Sequence, residues 1–115
     1  MADDSENCIF CRIVRGDIPA DIVATSAEAV AFRDLDPKAP VHVLVIPKKH
    51  IGSLDDSPDP AVLGEVLALA TTVARTEGLG GGYRVVFNTG PDGGQTVGHL
   101  HAHVLGGRHM AWPPG

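Results

Sequence analysis

Three histidines near the end of the chain alternate with apolar residues. His99, His101 and His103 lie in Gly98-His99-Leu100-His101-Ala102-His103-Val104. Alternate residues of a β-strand face the same way, so this spacing predicts three imidazoles on one face, with the apolar residues between them toward the core. Imidazoles this close cannot all be protonated, which keeps one of them neutral and nucleophilic near pH 7. One such histidine would most simply be a solvated side chain, but three in register indicate a functional site.

A glycine-rich loop leads directly into the histidine strand. Residues 88–98 contain glycines and small polar side chains, and the backbone N–H groups of such a loop can surround an oxyanion. Most glycine-rich loops are only turns, so the position beside the histidines carries this argument. The chain has no G-x-x-x-x-G-K-[ST] sequence, which excludes a P-loop nucleotidase.

The two cysteines of the chain, Cys8 and Cys11, are separated by two residues. No other feature indicates secretion, so a metal or redox role is favoured over a structural disulfide. Tetrahedral zinc commonly takes such a pair together with two histidines, and the spacing alone does not say which histidines. A thioredoxin-like redox pair and two thiols without a partner remain the alternatives.

The pattern along the chain predicts the elements that must position these residues. A helix is expected to begin after Asp59 as N-cap, with Pro60 at the first helical position, and to end at Gly78. Its apolar side would hold Val62, Leu63, Val66, Leu67, Leu69, Ala70, Val73 and Ala74. A shorter helix is expected at residues 8–14, and strands at 21–25, 29–33, 41–46, 83–88 and 99–105. Short connections favour an α+β domain: an antiparallel sheet of about five strands with one long and one short helix.

Length and composition exclude several classes of protein. The 115 residues make one domain, and no apolar run reaches the roughly 20 residues that span a bilayer. The net charge of −5 argues against sequence-independent nucleic-acid binding, which needs clustered cations. Residues 1–7 are acidic and lack the features of a secretory signal, which predicts a cytoplasmic protein. The same residues are expected to be disordered.

The stretch from His99 to Leu105 has the form H-x-H-x-H followed by two apolar residues, and it resembles the signature of the histidine triad (HIT) family. Other segments resemble the Hint branch of nucleotide-binding proteins: Cys8-Ile9-Phe10-Cys11, Gly16-Asp17-Ile18-Pro19-Ala20, Val43-Leu44-Val45-Ile46-Pro47-Lys48-Lys49-His50, Gly93-Gly94-Gln95 and Trp112-Pro113-Pro114-Gly115. The resemblance covers nearly the whole chain. It implies the HIT-like fold, a single domain over residues 1–115, and a homodimer.

The resemblance implies hydrolysis of purine nucleoside 5′-phosphoramidates, in which adenosine 5′-monophosphate (AMP) is typically joined to an amine by a P–N bond. His101 would attack the α-phosphorus to form a nucleotidyl-histidine intermediate that water later opens, and His103 would hold the phosphate. Thr96 and His42 would complete the catalytic set. The implied nucleotide contacts are Asp34 to the ribose hydroxyls, with Leu35, Asn88, Gln95, Thr96, His101 and His103.

Two positions of this sequence depart from the family pattern. Thr96 stands where relatives often carry Ser, and Gly98 stands where a bulkier residue is common.

Zinc-binding members imply one structural zinc per chain, held by Cys8, Cys11, His50 and His99. The C-terminal residues 108–115 are implied to lie at the dimer interface and to reach the active site of the neighbouring subunit.

Three rival functions stay open from the sequence. The chain could hydrolyse dinucleoside polyphosphates, or it could be a nucleotide-binding regulatory or scaffold protein whose turnover is incidental. It could also be a hydrolase in which strand histidines hold a catalytic zinc. The amine leaving group and the preference between adenine and guanine do not follow from the sequence.

Overall fold

The short first helix forms where its polar ends can be capped. In the computed structural model, which describes residues 6–115, α1 spans Ile9–Arg15. Cys8 is its N-cap and accepts a hydrogen bond from the Cys11 N–H, while Gly16 ends it with φ of 80°, a left-handed conformation that suits glycine. The predicted helix at 8–14 is confirmed, displaced by one residue. Of the predicted disordered segment 1–7, residues 1–5 lie outside the described part.

A five-stranded antiparallel sheet forms the centre of the molecule. Its strands are β1 (Ile22–Thr25), β2 (Ala29–Arg33), β3 (Val41–Pro47), β4 (Tyr83–Phe87) and β5 (Ala102–Gly106). Their order across the sheet is β1-β2-β3-β5-β4, so β3 lies between β2 and β5. The two predicted strands at 21–25 and 29–33 are confirmed, and they pair as an antiparallel hairpin.

The long helix α2, Pro60–Thr76, covers one face of this sheet. Asp59 caps it by accepting a hydrogen bond from the Ala61 N–H at 2.9 Å, as predicted. Val66, Leu69, Ala70, Val73 and Ala74 face the sheet. The prediction for Leu67 is wrong, because its side chain lies outside the stripe that faces the sheet and is 45% exposed.

The other face of the sheet packs against α1. Phe10 and Ile13 of the helix contact a second apolar cluster that includes Val30, Leu44 and Ile46. Strand β3 is therefore covered on both faces, which suits its nearly continuous apolar sequence. The histidine side of β5 lies on the α1 face, since Ala102 and Val104 pack on the α2 side.

The last strand begins three residues later than predicted, at Ala102 instead of His99. Its ladder with β3 ends at the pair of Val45 with Ala102. Beyond that point, Pro47 has no N–H to donate, and the Leu100 N–H bonds instead to Ile51 O at 2.6 Å. His99 and His101 therefore lie on an irregular segment just before the strand.

No helix in the described range 6–115 is long and apolar enough to cross a membrane.

Candidate functional site

Two cysteines and two histidines converge where α1 meets the segment before β5. The candidate ligand atoms of Cys8, Cys11, His50 and His99 all lie within 4.8 Å of one another. Cys8 Sγ is 3.3 Å and Cys11 Sγ 3.4 Å from His99 Nδ1, and Cys11 Sγ is 3.2 Å from His50 Nδ1. This Cys2His2 cluster could bind a metal ion.

The donor set fits tetrahedral zinc. Ordinary Zn–S and Zn–N bonds would separate a sulfur from a nitrogen ligand by about 3.5 Å, close to the distances found here. The other ring nitrogen of His99, Nε2, lies 2.9 Å from Pro47 O and must donate its hydrogen to that carbonyl. The lone pair of His99 is therefore on Nδ1, which faces the thiols, and a backbone partner fixes the ring as is usual for a ligating histidine.

His101 is 6% exposed, and its ring is held in one tautomer. Its Nδ1 lies 2.7 Å from His99 O, a carbonyl that can only accept, so Nδ1 carries the hydrogen. In the neutral ring Nε2 then has the lone pair. This tautomer places the lone pair on Nε2, where nucleophilic attack can take place.

Hydrogen bonds also fix which ring nitrogen carries the hydrogen in His42 and His103. The Lys38 backbone N–H donates to His42 Nδ1 at 3.0 Å, so the neutral ring of His42 carries its hydrogen on Nε2. That Nε2 donates to His103 Nδ1 at 2.9 Å. In the neutral ring of His103, Nε2 therefore holds the remaining hydrogen, and this buried atom has no hydrogen-bond partner within the described residues.

Burial keeps these rings neutral. Desolvation, together with smaller effects of the neighbouring His101 and His42, lowers the pKa of His103 to about 4. Burial also lowers the pKa of His42, against an opposing effect of the Asp34 carboxylate, whose Oδ2 lies 3.4 Å from His42 Nε2. Near pH 7 the unpartnered His103 Nε2–H is thus a neutral hydrogen-bond donor.

A cavity of about 270 Å³ opens beside His101 and His103. This is near the lower end of the range for small-molecule sites. Asp34 and Leu35 line one side and Thr96 another, and the Leu35 side chain is 98% exposed. The apolar wall comes largely from α1 and the sheet: Ile9, Phe10, Ile13, Phe32 and Leu44.

Comparison with known proteins identifies the family. The model of the HIT domain matches residues 15–110. The chain belongs to the HIT family. An uncharacterised HIT-like protein of Synechococcus elongatus is 55% identical over 96% of this chain and 99% of its own.

Solved HIT structures share the whole architecture. A HIT family hydrolase from Legionella pneumophila Philadelphia 1 matches with a TM-score of 0.91 at 50% identity, over 95% of this chain and 100% of its own. A zinc-bound histidine triad family protein from Mycobacterium smegmatis matches with a TM-score of 0.82 at 36% identity, over 90% of this chain and 77% of its own. The predicted α+β HIT fold is confirmed.

Two of the predicted nucleotide contacts do not line this HIT cavity. Asn88 follows β4, one residue beyond the registered pair of Phe87 with Ala102. The Gln95 amide braces the loop: it accepts from the Gly90 N–H at 3.1 Å and donates to Gly52 O at 2.7 Å and Val97 O at 3.0 Å. Direct nucleotide contacts by these two residues stay a prediction.

The C-terminal tail of the HIT domain is fastened to β4. The Arg84 guanidinium donates to Ala111 O at 2.9 Å and to Pro114 O at 3.4 Å, while Trp112 remains 84% exposed. Residues 108–115 do not line the cavity of their own chain. Their predicted position at an active site would therefore have to be in a neighbouring subunit.

Asp34, His42 and His103 also bring three potential metal ligands together. The proton positions argue against a metal there. His42 Nε2 carries a hydrogen because Nδ1 accepts from Lys38, and its 2.9 Å contact with His103 is a hydrogen bond. These hydrogen bonds account for the proximity of the three groups.

Sequence reasoning missed two groups that shape the site. Phe10 lies between the cysteines, and its ring meets the His101 ring edge to face, with centroids 5.2 Å apart. An apolar residue beside a predicted ligand pair was a usable signal. The Lys38 N–H could not have been found in this way, because a hydrogen bond from a backbone group does not depend on the type of side chain at that position.

Proposed function

We propose that this chain hydrolyses purine nucleoside 5′-phosphoramidates through a covalent intermediate on His101. The main support for this proposal is the tautomer of each of two neighbouring rings. His101 has a lone pair on Nε2, and His103 has an Nε2–H without a hydrogen-bond partner. Displacement at a phosphoryl group needs a nucleophile and a donor for the phosphoryl oxygens, and the two rings supply both. Family proteins generally bind nucleotides, which supports the choice of substrate class.

In the first step His101 Nε2 bonds to the α-phosphorus while the P–N bond breaks. The bonding electrons leave on the amine, which gains a proton from solvent. The Thr96 hydroxyl at the cavity wall can relay this proton. The His101 ring becomes cationic as it bonds to phosphorus. The Nδ1–H to His99 O hydrogen bond then becomes charge-assisted, which stabilises this state.

In the second step water attacks the same phosphorus and the P–Nε2 bond breaks. Water loses a proton to solvent, and His101 returns to its neutral Nδ1–H tautomer. His103 donates to a phosphoryl oxygen throughout, and its low pKa lets it do so without a charge of its own.

The rest of the cavity suits a nucleoside. Ile9 and Leu35 offer exposed apolar surface at the cavity wall for a purine ring. The Asp34 carboxylate can accept hydrogen bonds from ribose hydroxyls. Its Oδ1 already accepts from the Asp36 N–H at 2.8 Å, which holds the side chain in place.

The Cys2His2 cluster would hold a structural zinc. Four protein ligands close the coordination sphere and leave no position for a reacting water. A bound zinc there supplies a rigid cross-link between α1, the segment after β3 and the segment before β5. The zinc-bound relative from Mycobacterium smegmatis supports this choice of metal.

The deciding experiment replaces the nucleophile. His101→Gly should retain AMP binding yet lower turnover of adenosine 5′-phosphoramidate by several orders of magnitude, as loss of a covalent nucleophile does. Rapid denaturing quench of the wild type should trap nucleotide on the protein as an acid-labile, base-stable phosphoramidate. Residual turnover within about tenfold of wild type, worth only ~1.4 kcal/mol, would mean that water attacks directly.

The same assay separates the rival substrate class. Adenosine 5′-phosphoramidate should be consumed faster than dinucleoside polyphosphates at equal concentration. The opposite order would assign the chain to polyphosphate hydrolysis.

A further inference from the structure

We propose that the Cys2His2 site also positions the nucleophile, because metal binding and the orientation of the His101 ring are coupled through His99 and Phe10. The functional meaning of this coupling rests on the proposed role of His101. The physical coupling itself concerns only contacts among the chain's own residues.

The first link is His99, whose side chain and main chain serve different partners. Its side chain is fully buried, with Nδ1 toward the two thiols and Nε2 bonded to Pro47 O. Its carbonyl accepts the His101 Nδ1–H at 2.7 Å. A metal on Nδ1 would fix the ring from one side while Pro47 fixes it from the other, and the carbonyl that sets the His101 tautomer then has little freedom to rotate.

The second link is Phe10, carried between the two cysteines on α1. Its ring makes edge contacts with His99 at 5.8 Å and with His101 at 5.2 Å between centroids. Cys8 and Cys11 flank Phe10 in the chain, so holding both thiols also holds this ring against the nucleophile. A helix of seven residues has little stability of its own and depends on such tertiary anchors.

His103 provides the contrast within the same cavity. Its hydrogen bond goes to His42, and its ring contacts are with His42 and His101. Neither His99 nor Phe10 is among these partners. Truncating His103 therefore removes a comparable imidazole, which is one packing partner of His101, but leaves the contacts of His99 and Phe10 in place.

Linkage is reciprocal, so a residue that the metal positions must in turn support metal binding. We expect His101→Ala to weaken zinc binding about fivefold or more, the lower end of ordinary coupling, and His103→Ala to change it by less than about twofold. Competition with a colorimetric zinc chelator measures both dissociation constants. Equal zinc affinities in the two variants would overturn the proposal.

A second measurement uses the unaltered chain and covers the case in which His101→Ala does not fold. Nitrogen-15 NMR reports which ring nitrogen of His101 carries the hydrogen. The zinc-loaded protein should show the Nδ1–H tautomer alone, and removal of zinc by a chelator should introduce the Nε2–H tautomer. An unchanged His101 spectrum after zinc removal would also overturn the proposal. Neither readout requires turnover, so the result is independent of whether phosphoramidates are the substrate.

Discussion

Proton positions in the cavity are set by single backbone groups. The Lys38 N–H determines which nitrogen of His42 is protonated, and the His99 carbonyl does the same for His101. The His42 bond then fixes His103. The ring identities could be predicted from the H-x-H-x-H spacing, whereas the tautomers could not, because they depend on loops that fold around the strand.

The low pKa of His103 predicts that the free energy of unfolding decreases in acid. Folding lowers the pKa from the ordinary 6.5 to about 4, so between these values the unfolded chain binds more protons than the folded one. The contribution is fully present above pH 6.5 and is lost as the pH falls through 4. The facing groups are His101, His42 and Asp34, and only the last opposes the shift.

Histidine NMR on the zinc-loaded protein should therefore show His103 neutral from pH 8 down to about pH 5. Thermal unfolding should show less loss of stability between pH 6.5 and 4 in His103→Gln than in wild type. The variant isolates this group from the acid release of metal, which affects both proteins. Parallel stability curves would contradict the assignment.

Among the elements, α1 depends most on tertiary contacts. Its seven residues are packed by Phe10 and Ile13 and anchored at its start by Cys8 and Cys11. The sequence predicted a short helix over residues 8–14 and favoured a metal or redox role for the two thiols. It did not by itself select His50 and His99, which lie far along the chain and meet only after the sheet forms.

We expect one zinc per chain by metal analysis, and Cys8→Ser should lower the thermal stability more than turnover measured in the cold. Hydrogen exchange should show loss of amide protection across Ile9–Arg15 while α2 stays protected. Loss of activity at unchanged stability would point instead to a catalytic metal.

The loop 88–98 gives a paired test of backbone fit. A Cβ at Gly93 would lie 2.3 Å from Thr89 O, so Gly93→Ala must displace the backbone between Thr89 and Gly93, in the loop that also carries Thr96. A Cβ at Gly98 would meet no atom within 4 Å. We expect kcat/KM to fall between about ten- and a hundredfold in Gly93→Ala, since small misplacements at a site cost this much, and to stay within about twofold in Gly98→Ala.

Equal effects of the two alanine variants on kcat/KM would show that loop geometry does not position the site. Circular dichroism should be unchanged for both proteins, which separates a local displacement from unfolding.

The start of β5 shows where strand prediction from pattern reached its limit. Alternation over 99–105 is the same whether or not the backbone pairs, so it could not place the boundary. Pro47 on the facing strand and the Leu100 bond to Ile51 O end the ladder at Ala102. A proline on the neighbouring strand could have indicated where the pairing ends, but only if the register between the two strands had been known.

For the whole molecule, the exposed edge at β4 predicts self-association. Within residues 6–115 the strand pairs only with β5, and its residues are only partly buried, with Tyr83 43% exposed. Unpaired edge groups favour pairing with another strand, and a two-fold copy supplies one. A tail that does not line its own cavity agrees with a site completed by a second chain.

Light scattering should therefore give about twice the 12.0 kDa mass of one chain. Removal of residues 112–115 should leave this mass and the melting temperature unchanged but alter the preference among amine leaving groups. Arg84→Ala keeps the tail sequence while removing its two hydrogen bonds, and it should shift the preference in the same direction by less. A monomer, or identical kinetics with every leaving group, would contradict this arrangement.

The position of β5 between β3 and β4 also constrains how the chain can be made. Strands β1, β2 and β3 can pair in the order in which they emerge during synthesis, but β4 has no neighbour until the final strand appears. A product that stops before residue 99 lacks His99, His101 and His103, and it leaves the apolar β3 with an open edge. Premature termination is thus expected to yield a fragment that tends to aggregate and that quality control can recognise.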